Sequence, residues 1–312
     1  MIIAANPHSG AFDRRSLIEQ LVEQLESKNF DVEILGEIDR ICQTASQSLA
    51  NGTLRAVVAA GGDGTAALLA NRLPSAVPLV VFPLGTANLL AKYLTIRRNI
   101  NQITDIIEDG QTVRLDAGMA NGQFFLVVTS CGFDAEVVRK LHKSRKGHIS
   151  YLSYITPILR VFWKYNYPTL EITFDNGQRM GTVRWAFIQN IPRYAMNLSI
   201  VDGANPFDGK LDCCTFRSGG ILASFYYFLC CLFRRQSRIK TARFVQFKSM
   251  TITTEGAGHY QIDGDPGGRL PLTIEVVPER FRVMVPKEWV QSQMEKMNLK
   301  VDEKGGFRES TE

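Results

Sequence analysis

The sequence predicts an α/β protein: an N-terminal open parallel-sheet domain of the nucleotide-binding type, then a β-rich, β-sandwich-like second domain, with the active site in the cleft between them. Three observations carry that expectation. Apolar runs alternate with helical patterns through the N-terminal third, as βαβ units require. Two of those runs, at residues 57–60 and 80–82, empty into polar turns containing glycine, and consecutive strands of a parallel sheet release such loops on one edge. Beyond Val113 the helical period gives way to short strands and turns such as Asn121-Gly122, a strong hairpin signal.

The elements follow in order. Residues 1–6 read as a buried strand, and 16–28 as an amphipathic helix with Leu17, Ile18, Leu21, Val22 and Leu25 at helical spacing. A strand over 31–35 and a helix over 38–49 come next, and the strand 54–60 feeds Gly61-Gly62-Asp63-Gly64-Thr65. The second apolar run leads into Pro83-Leu84-Gly85-Thr86-Ala87-Asn88, and the helix behind it is expected to be capped by Asn88 or Thr86. Later strands are expected at 169–174, 183–189, 211–216, 241–248, 250–254, 272–277 and 281–285, with a further turn at Asp175-Asn176-Gly177-Gln178. The domains are therefore 1–113, to which the tail 287–312 can return, and 114–286. Residues 300–312 are polar and read as a frayed end.

Two apolar stretches interrupt the second half. Residues 149–165 carry Tyr151, Leu152, Tyr154, Ile155, Ile158, Leu159 and Phe162 at helical spacing behind Lys140, Lys143, Arg145 and Lys146. A core helix is the favoured reading there over a membrane-facing element. Residues 221–233 are almost wholly apolar or aromatic, yet too short for a bilayer core that needs roughly 20 residues. A buried helix is one reading. The other has Phe225, Tyr226, Tyr227, Phe228 and Leu229 lining or covering an acyl-chain groove, with Arg234, Arg235, Arg238 and Lys240 meeting lipid phosphates.

Composition excludes several classes. With 312 residues, 45% hydrophobic and 21% charged, the chain is globular and long enough for two domains. A net charge of +5 permits contact with anionic lipid or nucleotide but does not demand nucleic acid, and no nucleic-acid partner is expected. The six cysteines include adjacent pairs and no CxxC spacing, so reduced, mostly buried thiols of a cytoplasmic protein are expected rather than zinc ligands or a disulfide framework. The N-terminus runs straight into a strand without a signal-peptide pattern.

The chemistry-bearing stretch is Gly61-Gly62-Asp63-Gly64-Thr65. A strand ending there ahead of a helix offers backbone N–H groups to phosphates, with Asp63 beside the Mg²⁺ that accompanies a nucleoside triphosphate. A tight turn with a capping Asp fits the residue types equally well. Asn205-Pro206-Phe207-Asp208-Gly209-Lys210-Leu211-Asp212 and Tyr260-Gln261-Ile262-Asp263-Gly264-Asp265 supply further acids, and on pattern alone both are plain β-turns.

The glycine loop, with Pro83-Leu84-Gly85-Thr86-Ala87-Asn88 after it and Asn6-Pro7-His8-Ser9-Gly10 before it, resembles the diacylglycerol kinase catalytic-domain family of bacterial lipid kinases and sphingosine kinases. Gly132-Phe133-Asp134-Ala135 and residues 272–286 match later segments of that family. The resemblance implies ATP and Mg²⁺, a lipid alcohol such as diacylglycerol as acceptor, and transient residence at the cytoplasmic membrane face against anionic lipid. It implies nucleotide contacts from Asn6, Ser9, Gly10, Gly61, Gly62, Gly64, Thr65, Gly85, Thr86 and Asn88. Asp63 organises the metal at the γ-phosphate, and Asp265 or Asp263 accepts the hydroxyl proton. Asp208, with backbone carbonyls near Asn205 and Lys210, holds a structural Mg²⁺.

The sequence also departs from the family. Asp265 stands where a Glu is usual, Ala67-Leu68 where Asn-Glu is frequent, Leu89 where Asp is frequent, and Tyr194 to Ser199 replace a Gly- and Pro-containing stretch. A soluble kinase of the NAD kinase type and a catalytically silent binding protein are the alternatives. Oligomeric state stays open, a homodimer included.

Overall fold

The computed structural model describes residues 1–5, 12–144, 165–194, 198, 200–297, 299–301 and 307–309. The loop Asn6 to Gly10 lies outside them, as does the expected helix over 149–165 apart from Tyr165. The chain divides into two compact units, Met1–Asp116 with Pro278–Glu312, and Ala117–Val277.

In the first unit β1 (Ile2–Ala4), β2 (Glu33–Leu35), β3 (Val57–Gly61) and β4 (Pro78–Pro83) form a parallel sheet in the order β2-β1-β3-β4. Helices α1 (Phe12–Ser27), α2 (Ile38–Ala50), α3 (Asp63–Arg72), α4 (Leu89–Tyr93) and α5 (Ile100–Asp109) alternate with the strands or follow them. Every residue of β4 is buried, as are Val57 to Ala60 of β3, which explains their unbroken apolar sequences. Helix α5, which the sequence reading did not place, is delimited by Asn99, whose side chain accepts from Gln102 N, and by Gly110 at φ +65°.

Strand β5 (Thr112–Ala120) begins in the first unit and ends in the second, where it turns at Asn121 and Gly122, both at positive φ, into β6 (Gln123–Phe125). Then come β7 (Val128–Cys131), α6 (Phe133–Ser144), β8 (Leu170–Phe174), β9 (Arg179–Val183), β10 (Trp185–Gln189), β11 (Leu211–Phe216), α7 (Ile221–Leu232), β12 (Ala242–Phe247), β13 (Ser249–Thr254), β14 (His259–Ile262), β15 (Asp265–Arg269) and β16 (Leu272–Met284). One antiparallel sheet has the order β12-β11-β10-β7-β14-β15, and β16, β13, β8 and β9 pair antiparallel in turn.

Ala186, Ile188, Leu211 and Cys213 of the first sheet share a core with Leu170, Ile172, Met250, Ile252, Leu272 and Ile274 of the other, so the two pack as a β-sandwich. On the opposite face of the six-stranded sheet, Trp185, Phe187, Cys214 and Phe216 lie under Phe133 and Val137 of α6 and Tyr227 and Cys231 of α7. That double cover leaves β10 and β11 buried at every position.

The two closing strands expected at 272–277 and 281–285 are one strand, β16, whose residues from Pro278 onward belong to the first unit. There Arg282 and Val283 run parallel beside Pro78 and Leu79. Helix α8 (Lys287–Met297) follows, and its buried Trp289 donates to Tyr93 O at 2.8 Å. The expected fraying of 300–312 is corrected in part: β17 (Leu299–Val301) and β18 (Phe307–Glu309) pair antiparallel, with Lys300 opposite Arg308. All six cysteines are unbridged, four of them buried.

Candidate active site

Strands β3 and β4 are in register to their ends, with Gly61 opposite Pro83, so their loops leave the sheet side by side. Gly61 O accepts from both Leu84 N at 2.8 Å and Gly85 N at 3.2 Å. The loops then meet backbone to backbone. A Cβ on Gly85 would lie 2.5 Å from Gly62 Cα and 2.7 Å from Asn88 Oδ1, and one on Gly61 would lie 2.2 Å from Thr65 Oγ1. Side chains are thus excluded from the loop edge, where α3 begins behind an extended Gly62 with no side-chain cap on its first N–H groups. Such an arrangement presents backbone donors to an anion.

Asp63 ties the two loops together. Its Oδ1 accepts from Leu90 N at 3.0 Å, so the acid of the first loop caps the helix of the second. This corrects the expected cap by Asn88 or Thr86. Asn88 is left-handed at φ +49° and folds its amide back on its own loop, accepting from Gly85 N at 3.0 Å and donating to Gly85 O at 2.8 Å. Its amide therefore shapes the loop instead of capping α4. Thr86 is exposed and Thr65 half-buried. A surface recess of about 540 Å³ in this unit is lined by Thr95, Arg97, Gln102 and neighbouring acids and includes none of the glycine-loop residues.

In the second unit β14 and β15 are joined by Asp263 and Gly264, both at positive φ. The Asp263 carboxylate accepts three backbone N–H groups, Leu126 at 2.8 Å on Oδ2 and Val127 and Val128 each at 2.9 Å on Oδ1. Its own N–H donates to Val128 O at 2.9 Å. Both oxygens are committed to holding the segment before β7. Asp265 is exposed by contrast, with His142 Nδ1 of α6 at 3.7 Å from its Oδ1.

Beside that turn lies a polar network whose residues the sequence reading gave no role. Ser130 and Tyr194 donate to the two oxygens of Asp134, Gln261 Nε2 donates to Ser130 Oγ at 3.0 Å, and Gly264 N donates to Gln261 Oε1 at 2.8 Å. Burial raises the Asp134 carboxyl above its usual range, opposed by the bonds from Ser130, Tyr194 and Gln261. On the same helix Glu136 takes two bonds from Arg139 at 2.7 and 2.6 Å and sits 3.5 Å from His259 Nδ1.

The turn before β11 and the start of that strand hold a second pair of acids. Asp208 accepts from Lys210 N at 3.0 Å and Gln246 Nε2 at 3.3 Å. Four residues on, Asp212 is buried and its Oδ2 has no hydrogen-bond partner among the described residues. Burial raises its pKa to about 6, with Gln246 opposing and the Asp208 charge reinforcing the shift. An orphaned carboxylate oxygen beside a second carboxylate suits a hard cation. The donor set fits Mg²⁺ if main-chain carbonyls complete it, since no group of three or more His, Cys, Asp or Glu side chains gathers among the described residues. Asp212 is the member the sequence reading left unassigned; its signal was an acid inside an otherwise apolar strand.

Comparison with known proteins decides the family. Residues 1–120 match the diacylglycerol kinase catalytic domain, and residues 127–285 match the YegS C-terminal NAD kinase beta sandwich-like domain. The chain belongs to the diacylglycerol kinase catalytic-domain family. As a member it is a lipid kinase. It is 21% identical over 299 residues, 91% of the chain, to a Staphylococcus haemolyticus protein named "putative lipid kinase", covering 95% of that relative. A Staphylococcus carnosus protein named diacylglycerol kinase is 21% identical over 92% of this chain and 95% of its own. Among solved structures, a diacylglycerol kinase from Bacillus anthracis shares the fold with a TM-score of 0.71, 24% identity and coverage of 92% and 97% of the two chains. An NAD kinase from Archaeoglobus fulgidus in complex with ATP shares it more distantly, at a TM-score of 0.52 and 14% identity over 96% and 99%.

The family's frequent acid after Asn88 is replaced by a buried Leu89, and Leu68 on α3 is an exposed apolar side chain. Of the expected nucleotide contacts, Gly61, Gly62, Asp63, Gly64, Thr65, Gly85, Thr86 and Asn88 are gathered on one edge of the first unit. Asn6, Ser9 and Gly10 lie outside the described residues.

Proposed function

We propose that this lipid kinase transfers the γ-phosphoryl group of Mg·ATP to the hydroxyl of a lipid alcohol such as diacylglycerol. The observation that carries the reading is the contact of Gly62 with Gly85, a cradle that a single Cβ would fill. The N–H groups at the start of α3 receive the nucleotide phosphates, with Thr65 and Thr86 alongside; Asn6, Ser9 and Gly10 are further nucleotide contacts on the family resemblance alone. Asn88 holds the second loop in shape, and Asp63, with one oxygen fixed by Leu90 N, would use the other to hold the metal that accompanies the nucleotide. Mg²⁺, when bound, neutralises charge on the transferring phosphoryl group.

The acceptor hydroxyl oxygen attacks phosphorus, the bond to the ADP oxygen breaks, and the hydroxyl proton passes to Asp265. Asp265 is favoured over Asp263 because both oxygens of Asp263 are spent on three backbone donors, while Asp265 is exposed beside His142. Asp208 and Asp212, with carbonyls near Asn205 and Lys210, would hold a second, structural Mg²⁺. The reaction draws on cytoplasmic ATP at the inner membrane face.

The test is transfer of labelled phosphate from Mg·ATP to diacylglycerol in mixed micelles by the wild type and by Asp63→Asn and Asp265→Ala. Turnover lost in both variants supports the assignment, whereas full activity of Asp63→Asn overturns it. The likeness to an NAD kinase fold favours one second reading, a soluble acceptor, and labelled NAD product without lipid would select it.

A further inference from the structure

Among the described residues, helix α7 packs against the protein by one side only. Ser224, Tyr227 and Cys231, spaced three and four apart, are buried, and the Tyr227 ring stacks on Phe216 with centroids 4.4 Å apart. The other side is fully apolar and open: Leu222 is 86% exposed, Phe225 57% and Phe233 66%, with Ile221, Tyr226, Phe228 and Leu232 also exposed. The helix has no charged residue. A surface helix on a water-soluble protein normally carries its polar residues on that outer face, so this patch is reversed in character.

The surrounding charge says what covers it. Residues 217–254 contain Arg217, Arg234, Arg235, Arg238, Lys240, Arg243 and Lys248 and no Asp or Glu, in a chain whose whole net charge is +5. Arg217 precedes the helix, and Arg234 and Arg235 follow its last turn, all exposed. None of these seven side chains makes an ion pair among the described residues. The Asp202 carboxylate nearby is held by Gln236 Nε2 at 2.7 Å on the buried side of the segment. Apolar side chains between unpaired cations match the layering of an anionic bilayer, with acyl chains below a plane of phosphates. A second copy of this chain would set its own cations against these.

We infer that α7 is a monotopic membrane-docking element that lies in the interface of an anionic bilayer, with Leu222, Phe225 and Phe233 entering the acyl layer and Arg234 and Arg235 at the phosphate plane. With 12 residues at a rise of about 1.5 Å each, the helix lies along the surface. No helix among the described residues is long and apolar enough to cross a membrane. The inference rests on the lipid-kinase reading only for its purpose, since docking is read without ATP.

The test is sedimentation of the full chain with vesicles of phosphatidylglycerol and phosphatidylcholine, against phosphatidylcholine alone, at low and high salt. Wild type should prefer the anionic vesicles and lose affinity with salt. Arg234→Ala/Arg235→Ala should weaken binding about 25-fold, taking about fivefold per cation. Leu222→Ser/Phe225→Ser should weaken it on the order of a hundredfold, with unchanged thermal unfolding and unchanged turnover of a short-chain diacylglycerol in detergent. Tryptophan emission from Phe225→Trp should shift to the blue on adding anionic vesicles. Wild-type indifference to phosphatidylglycerol, undiminished binding by both double variants, or a wild-type dimer that Leu222→Ser/Phe225→Ser dissociates would overturn it. Vesicle binding with no phosphoryl transfer would instead count against the kinase reading and leave the docking element standing.

Discussion

Asp263 serves as a structural acid while Asp265 is the proposed proton acceptor, and Asp263→Ala makes the difference measurable. The substitution removes the acceptor of three N–H groups on Leu126, Val127 and Val128, all buried residues. A buried donor left unsatisfied costs about 1–3 kcal/mol. Water entering the space of the lost carboxylate relieves part of that, so about 3–5 kcal/mol is expected for the three together. The residue sits at φ +47°, where alanine is less at ease than Asp or Asn. Asp263→Asn keeps that tolerance and one good acceptor, and should cost about half as much.

The assay is urea unfolding followed by far-ultraviolet circular dichroism and tryptophan emission, with Trp185 buried in the same unit. Exposed Asp265→Ala is the control and should stay within about 0.5 kcal/mol of wild type while abolishing turnover. If Asp263→Ala unfolds within about 1 kcal/mol of wild type, the carboxylate is not a strut and the choice of Asp265 as proton acceptor loses its support.

Three further outcomes are expected. Gly85→Ala, whose Cβ would lie 2.5 Å from Gly62 Cα, should force the loops apart and raise the KM for ATP at least tenfold with little change in the KM for lipid, read by steady-state kinetics. Mg²⁺ without nucleotide should raise the Tm of the wild type by relieving the charge of Asp208 and Asp212, and Asp212→Asn should raise the metal-free Tm and erase that response in differential scanning fluorimetry. Asp134 has a folded-state pKa above its unfolded value, so its contribution to stability is full below about pH 4 and is lost as pH rises through the folded pKa. Asp134→Asn should therefore gain on the wild type between pH 4 and neutrality in urea unfolding, and a constant difference across that range would contradict the assignment.

Much of this architecture was legible from local pattern. The Gly61 to Thr65 and Gly85 to Asn88 loops, the Asn121-Gly122 hairpin and β11 are written in contiguous residues whose chemistry permits few alternatives. The capping of α4 was not, because its acceptor, Asp63, lies 27 residues away from Leu90. The same distance problem hid the Asp134 network, since Gln261 is 131 residues from Ser130. Pattern also cannot distinguish a carboxylate saturated by backbone donors from an exposed one, so Asp263 and Asp265 look alike in sequence. Strand β9 escaped because Arg-Met-Gly-Thr-Val is an exposed edge strand without an alternating apolar face. Strand β16 was split in expectation by Pro278-Glu279; the structure bends there, with Glu279 at φ +49° and its N–H donating to Asp116 Oδ1 at 2.8 Å.

The outer face of α7 shows the limit of composition most plainly. An apolar run of this kind is a core helix in most settings, and only the exposure of Leu222, Phe225 and Phe233 shows that one side lies open among the described residues.

The most direct test of the central claim is transfer of labelled γ-phosphate from Mg·ATP into a total lipid extract presented in mixed micelles, with Asp63→Asn alongside. A labelled lipid comigrating with phosphatidic acid, made by the wild type and absent with the variant, is the predicted result. No labelled lipid from a wild-type protein that binds ATP, or equal labelling by Asp63→Asn, would contradict it.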